Sequence, residues 1–123
     1  MKLRFRGNSL RLRLNRREVE ALASGAALEE RVIFPGDDSL AYVLEPSKAT
    51  AAKARFQRGV IRVSAPQVQV SEWASGTKIG LYFDLPANGS SLKIAIEKDL
   101  ECVDGSPDEA DVDAFPRGYA KIC

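Results

Sequence analysis

The chain has 123 residues, 45% apolar and 28% charged, with a net charge of +1. Such a chain reads as one soluble globular domain, and its ordinary apolar fraction excludes a long disordered protein. Its apolar runs fall far short of the roughly 20 residues a membrane-spanning helix needs. Two cysteines are too few for a disulfide scaffold, and the absence of histidine removes most imidazole-based catalysis and zinc binding.

The elements follow in chain order. Leu3 and Phe5 alternate with Lys2, Arg4 and Arg6, the pattern of a half-buried strand, and no apolar core of a signal peptide is present there. Gly7-Asn8-Ser9 turns the chain into a second alternating strand through Leu10, Leu12 and Leu14. Asn15 and Glu18 have capping-box spacing before a short helix with Val19, Leu22 and Ala23 on one face, and Gly25 ends it. Strands are expected over Leu28–Phe34 and Leu40–Glu45, around the turn Pro35-Gly36-Asp37-Asp38-Ser39. Pro46–Ala54 reads as a joint.

The same order then recurs. Phe56 lies on a short strand, Arg58-Gly59 turns, and Ile61-Arg62-Val63 is the next strand. Ser64 with Gln67 is expected to cap a helix that has Pro66 in its first turn, Val70, Trp73 and Ala74 on its buried face and Gly76 at its end. Ile79–Leu85 and Leu92–Glu97 flank Asn88-Gly89, a hairpin signal.

Shifted by 51 residues, Arg4–Pro35 falls on Arg55–Pro86 with 8 identities in 32 positions, among them Arg4/Arg55, Phe5/Phe56, Arg11/Arg62 and Gly25/Gly76. One extra residue in the second turn then brings Leu40 onto Leu92 and Glu45 onto Glu97. The expected fold is α+β: two ββαββ repeats, about 2–45 and 54–97, forming a small pseudo-twofold β-barrel with two short helices. Four strands with one apolar face cannot bury it alone, whereas two such units can. Residues 1–99 form this domain and residues 100–123 an acidic C-terminal tail. Phe5, Leu12, Leu22, Ile61, Val63, Trp73, Ile79, Tyr82 or Phe83, Leu92 and Ile94 are expected inside.

The stretch from Gly59 to Pro66, the helix after it, and Ala74-Ser75-Gly76-Thr77-Lys78-Ile79-Gly80-Leu81-Tyr82-Phe83 resemble the AbrB/MazE swapped-hairpin domains. The resemblance implies paired ββαββ units and, in that family, DNA binding. It departs from the family at Ser64, where the usual proline is missing, and in carrying both halves on one chain. The whole chain also resembles a group of short uncharacterised bacterial proteins that open with a phrase like Arg4-Phe5-Arg6-Gly7-Asn8-Ser9-Leu10-Arg11-Leu12, and this brings no function.

The charge is uneven. Residues 1–62 hold 13 Lys and Arg against 7 Asp and Glu, and residues 63–123 hold 5 against 10. Glu101–Asp113 contains six acids and no base, and reads as a solvated loop, not a calcium site. Phe115-Pro116 and Tyr119 could pin this tail to the domain. Cys102 and Cys123 have neither the spacing nor the partners of a metal site. Glu45 and Glu97 alternate outward on their strands and read as surface charge. No catalytic residue, cofactor or metal is expected.

The basic residues Arg4, Arg6, Arg11, Arg13, Arg55, Arg58 and Arg62 are the candidate anion or nucleic-acid face. Arginine suits phosphate and guanine edges, and a pseudo-twofold would present similar cations from both halves. The reading is a small soluble binding or interaction module of unknown molecular function, with a protein partner or an undefined module role, and with AbrB-like nucleic-acid binding through the basic strand face as the alternative. A cytoplasmic location is expected.

Overall fold

The computed structural model describes residues 1–100. The first half forms β1 (Lys2–Phe5), β2 (Ser9–Leu14), α1 (Arg16–Ala23), β3 (Leu28–Ile33) and β4 (Ser39–Ser47). The second forms β5 (Lys53–Gln57), β6 (Val60–Pro66), α2 (Gln67–Ser75), β7 (Gly80–Ala87) and β8 (Ser90–Lys98). The expected tail, Glu101–Asp113 with Phe115, Tyr119, Cys102 and Cys123, lies outside the described residues.

The strands make two four-stranded sheets, β1-β2-β8-β7 and β3-β4-β6-β5. Each sheet joins the first hairpin of one half to the second hairpin of the other. The junctions are parallel, β2 beside β8 and β4 beside β6, and the hairpins are antiparallel. The two strand orders interconvert when the halves are exchanged.

The expected closed barrel is not formed. Among the described residues no strand of one sheet pairs with a strand of the other, and β1, β7, β3 and β5 are the edges. The edges carry charge, with Lys2 and Arg4 on β1, Lys53 and Arg55 on β5, and Glu29-Glu30-Arg31 on the exposed β3. Charged short edges disfavour further pairing and stay in water. Alternation in sequence reveals a strand's two faces, but not whether its edge finds a neighbour.

The inner faces share one core. Leu10, Leu12, Leu14, Ile94 and Ile96 come from the first sheet and Leu44, Val63 and Ala65 from the second. Val19 and Leu22 of α1 and Val70 and Trp73 of α2 complete it. The helices touch each other, and each follows the C-terminal end of β2 or β6, so they cover one end of the sandwich. Among the described residues no helix is at the other end, where β2, β4, β6 and β8 begin.

The local signals of α1 act as expected. The Glu18 amide donates to Asn15 Oδ1 and the Asn15 amide to Glu18 Oε1, both at 2.9 Å. The cap expected for α2 does not form. β6 runs through Pro66, which is itself the N-cap residue and supplies no side-chain bond. Trp73 is buried, with its Nε1 donating to the Ile79 carbonyl at 2.9 Å.

The match between halves also shifts. Leu10 and Ile61 are 51 apart, and their parallel partners Tyr42 and Ile94 are 52 apart. Leu44 and Ile96, also 52 apart, stand opposite Leu28 and Leu81, which are 53 apart. The second half therefore has two more residues before its third strand and one fewer in the hairpin turn. Leu81, not Ile79, takes the place of Leu28, and Ile79 is 50% exposed although expected inside. Tyr82 faces out while Phe83 packs on the core.

The chain start is also held. The Met1 ammonium contacts Glu18 and Glu30, and Tyr42 Oη donates to the Met1 carbonyl at 3.1 Å. Burial lowers the ammonium pKa, but the bonds and attraction to Glu18 and Glu30 outweigh this and raise it above its ordinary value. Burial, then the charges of Glu30 and Glu18, raise the Tyr42 pKa.

Two outcomes follow for this chain. Trp73→Ala should cost about 3–5 kcal/mol in denaturant melts, and a loss below about 1 kcal/mol would contradict its packing. The raised ammonium pKa gives stability that is complete below pH 8.0, the ordinary value, and is lost as pH rises through the folded value. Raised Tyr42 has the same sign above pH 10.0. Thermal melts should thus fall on the alkaline side, and Glu18→Gln should flatten the step nearest pH 8.0.

Candidate functional site

Cross-strand register sorts the seven candidate arginines. On the outer face of the first sheet, Arg4 stands opposite Arg11, and Arg13 opposite Lys2. On the second, Arg55 stands opposite Arg62. Like charges facing each other repel, so their neighbours matter. The structure brings Arg11 and Arg13 together around one carboxylate, with their Nε atoms 3.1 and 3.9 Å from Glu97 Oε1. Tyr82 Oη donates to Glu97 Oε2 at 2.7 Å. Arg62 Nη1 lies 3.1 Å from Glu45 Oε2.

Glu97 was expected to be exposed. It does point outward, yet only 7% of it is accessible, because Arg11, Arg13 and Tyr82 lie over it. Gly80 makes this possible. A Cβ there would come within 2.8 Å of Tyr82 Oη and 2.9 Å of Glu97 Cγ. The ring thus lies over a residue with no side chain. The Gly80–Tyr82 spacing and the two arginines opposite were the available sequence signals.

Arg6, Arg55 and Arg58 are different. They are exposed and have no carboxylate within salt-bridge distance among the described residues. Arg55, Arg58 and Arg62, with Gln57 and Val60, line a cavity of about 300 Å³. Arg58 has φ of 52° and Gly59 of 75°, the two-residue hairpin turn that favours Asn-Gly. An arginine is strained in this left-handed region, by about 1–2 kcal/mol.

The feature missed in the sequence is beside them. At the end without helices, Phe5, Leu10, Leu40, Phe56, Ile61 and Leu92 line an apolar cleft of about 400 Å³, with Ala54 and Arg55 completing its wall. These six form three matched pairs: Phe5 with Phe56, Leu10 with Ile61, and Leu40 with Leu92. Phe5 and Phe56 are 59% and 70% exposed. Phe5 was expected in the core, but it sits on the last inner position of an edge strand, beyond the cover of the opposite sheet. The matched pairs were visible in the sequence; their convergence on one opening was not.

The described residues contain no group of three or more metal-ligating side chains. No helix among them is long and apolar enough to cross a membrane.

Glu97→Gln should destabilise the fold by about 1–3 kcal/mol, since it leaves two arginines and a hydroxyl around a neutral amide. Glu45→Gln, at the more open pair, should cost no more than about 1 kcal/mol. Denaturant melts of the two variants check the order, and equal losses would contradict the burial of Glu97.

No curated protein and no solved structure matches this chain. A family model does match residues 1–118, nearly the whole length. The chain therefore belongs to that family, a family of unknown function (DUF7009).

Proposed function

We propose that this chain is a binding module built from a duplicated ββαββ unit, and that its working surface is the apolar cleft at the helix-free end. Its occupant is an apolar or aromatic segment of a protein partner that carries acidic side chains. The observation that carries this reading is the pair Phe5 and Phe56, held in water at the mouth of a cleft with an arginine wall. Two exposed phenylalanines contribute little to the core, and contiguous exposed apolar surface marks interaction sites. Arg58 adds support. It keeps a strained backbone beside this cleft, where Asn or Gly would be more stable, and such strain clusters at functional positions.

The duplication is supported by the interchangeable strand orders and by the nearly constant offsets between halves. The exchanged hairpins also support the likeness to swapped-hairpin domains, here with both units on one chain. Residues 1–99 are then one domain, and residues 100–123 a tail.

Nucleic-acid binding is the second reading, favoured by Arg55, Arg58 and Arg62 around one cavity. It is the weaker one, because Glu97 and Glu45 neutralise much of the charge of Arg11, Arg13 and Arg62.

Fluorescence anisotropy with a labelled acidic peptide bearing two aromatic side chains tests the module. Phe5→Ser/Phe56→Ser should weaken binding on the order of tenfold or more, with a nearly unchanged melt. Arg58→Gly should weaken it while raising stability by up to about 1 kcal/mol. No binding by the wild type would overturn the reading. Duplex DNA binding that falls steeply with salt and is abolished by Arg4→Glu/Arg55→Glu would establish the second reading instead.

A further inference from the structure

We infer that the cavity between Arg55, Arg58 and Arg62 is an oxyanion site for a phosphate monoester carried by the partner segment. The inference rests on the apolar cleft being a docking surface, and names the chemical group on the occupant that the rim of that cleft selects.

Charge sets the class of ligand. Arg55 and Arg58 have no carboxylate in salt-bridge distance among the described residues, whereas Arg62 is held by Glu45. Arg55 stands directly opposite Arg62 on the β5–β6 ladder, and an anion between such like charges relieves their repulsion. With Arg62 and Glu45 cancelling, Arg55 and Arg58 leave the cavity doubly positive. A phosphate monoester, at about −1.5 to −2 near neutral pH, matches that charge better than a carboxylate or a phosphodiester, which are monoanions. Guanidinium forks suit phosphate oxygens, and Gln57 adds a carboxamide donor to the lining.

The backbone holds one of these cations in place. The residue 51 positions before Arg58 is Gly7, whose φ of 55° is close to the 52° of Arg58. Glycine adopts this conformation freely and arginine does not. Of these two matching turns, the one beside the cavity is the one that projects a cation. It is also pinned to β4. The Ala41 amide donates to the Gly59 carbonyl at 2.9 Å, and a Cβ at Gly59 would come within 2.8 Å of the Ser39 carbonyl oxygen. Arg58 therefore starts from a fixed backbone, which lowers the ordering cost of binding.

Position ties the site to the cleft. Arg55 lines both the cavity and the cleft, and Phe56, the next residue, lines the cleft. Successive side chains of a strand point to opposite faces, so Arg55 and Phe56 flank the edge strand β5. A segment crossing that edge places an aromatic side chain in the cleft and a phosphate on the adjoining residue at Arg55.

The test is fluorescence anisotropy on the full chain at fixed ionic strength. The labelled acidic peptide with two aromatic side chains is used in two forms, carrying serine or phosphoserine beside one aromatic residue. Phosphoserine should tighten binding on the order of tenfold or more. Arg55→Gln and Arg58→Gly should each remove most of that gain, and the glycine variant keeps the turn because glycine accepts its φ. Inorganic phosphate should compete with the phosphopeptide better than dimethyl phosphate, a monoanionic diester. Equal affinity for the two peptides would overturn the inference and leave the docking surface standing, whereas binding of neither would remove both. Inorganic phosphate that binds as tightly as the phosphopeptide would make free phosphate the ligand and overturn the link to a partner segment. Equal competition by dimethyl phosphate would overturn the choice of a monoester and point to a nucleic-acid backbone.

Discussion

The fold depends on two parallel ladders, β2 with β8 and β4 with β6. Each half has four strands with one apolar face and one amphipathic helix, too little to enclose a core. Pairing a hairpin within its own half leaves a two-stranded piece, which is marginal in water. The parallel ladders fuse these pieces into two four-stranded sheets whose inner leucines, isoleucines and valines meet. They also place α1 and α2 at one end, because each helix must cross from the end of β2 or β6 to the other sheet. Everything distinctive about the opposite end follows from that placement.

That opposite end carries the apolar cleft. The apolar alternation of β1 and β5 continues one residue past the point where the facing sheet gives cover, and so Phe5 and Phe56 project into solvent. Their neighbours in sequence are polar, Arg4 and Arg6 beside Phe5 and Arg55 and Gln57 beside Phe56, because a strand that alternates must put a polar residue beside each apolar one. An apolar mouth with a cationic rim is the result. The proposed occupant, a segment in which aromatic and acidic residues lie close together, complements it.

The outer faces show a different use of charge. Arg11 and Arg13 converge on Glu97 under the Tyr82 ring, and Arg62 meets Glu45. These contacts turn part of an arginine-rich face into a neutralised surface. Among the described residues, Arg6, Arg55 and Arg58 at the cleft end stand without a carboxylate in salt-bridge distance, as do Arg16 and Arg17 on α1 at the other end.

The sequence by itself determined the elements and much of the core. The period-two alternation of Leu10, Leu12 and Leu14, the Asn15–Glu18 box, the Asn88-Gly89 turn and the recurrence at an offset of 51 are all local signals, carried by residues close together in the chain. Trp73 was legible for the same reason, as one residue of a helical stripe. Tertiary structure decided what local signals do not encode. Whether the sheets close depends on which edges find partners, and the charged β1, β3 and β5 find none. Whether an outward glutamate is exposed depends on what lies over it, and Glu97 is covered from a neighbouring strand and across a glycine. Whether Phe5 is buried depends on how far the facing sheet extends. The cleft is the sum of such decisions: its six apolar residues come from β1, β2, β4, β5, β6 and β8, and only the exchange of hairpins brings them to one opening.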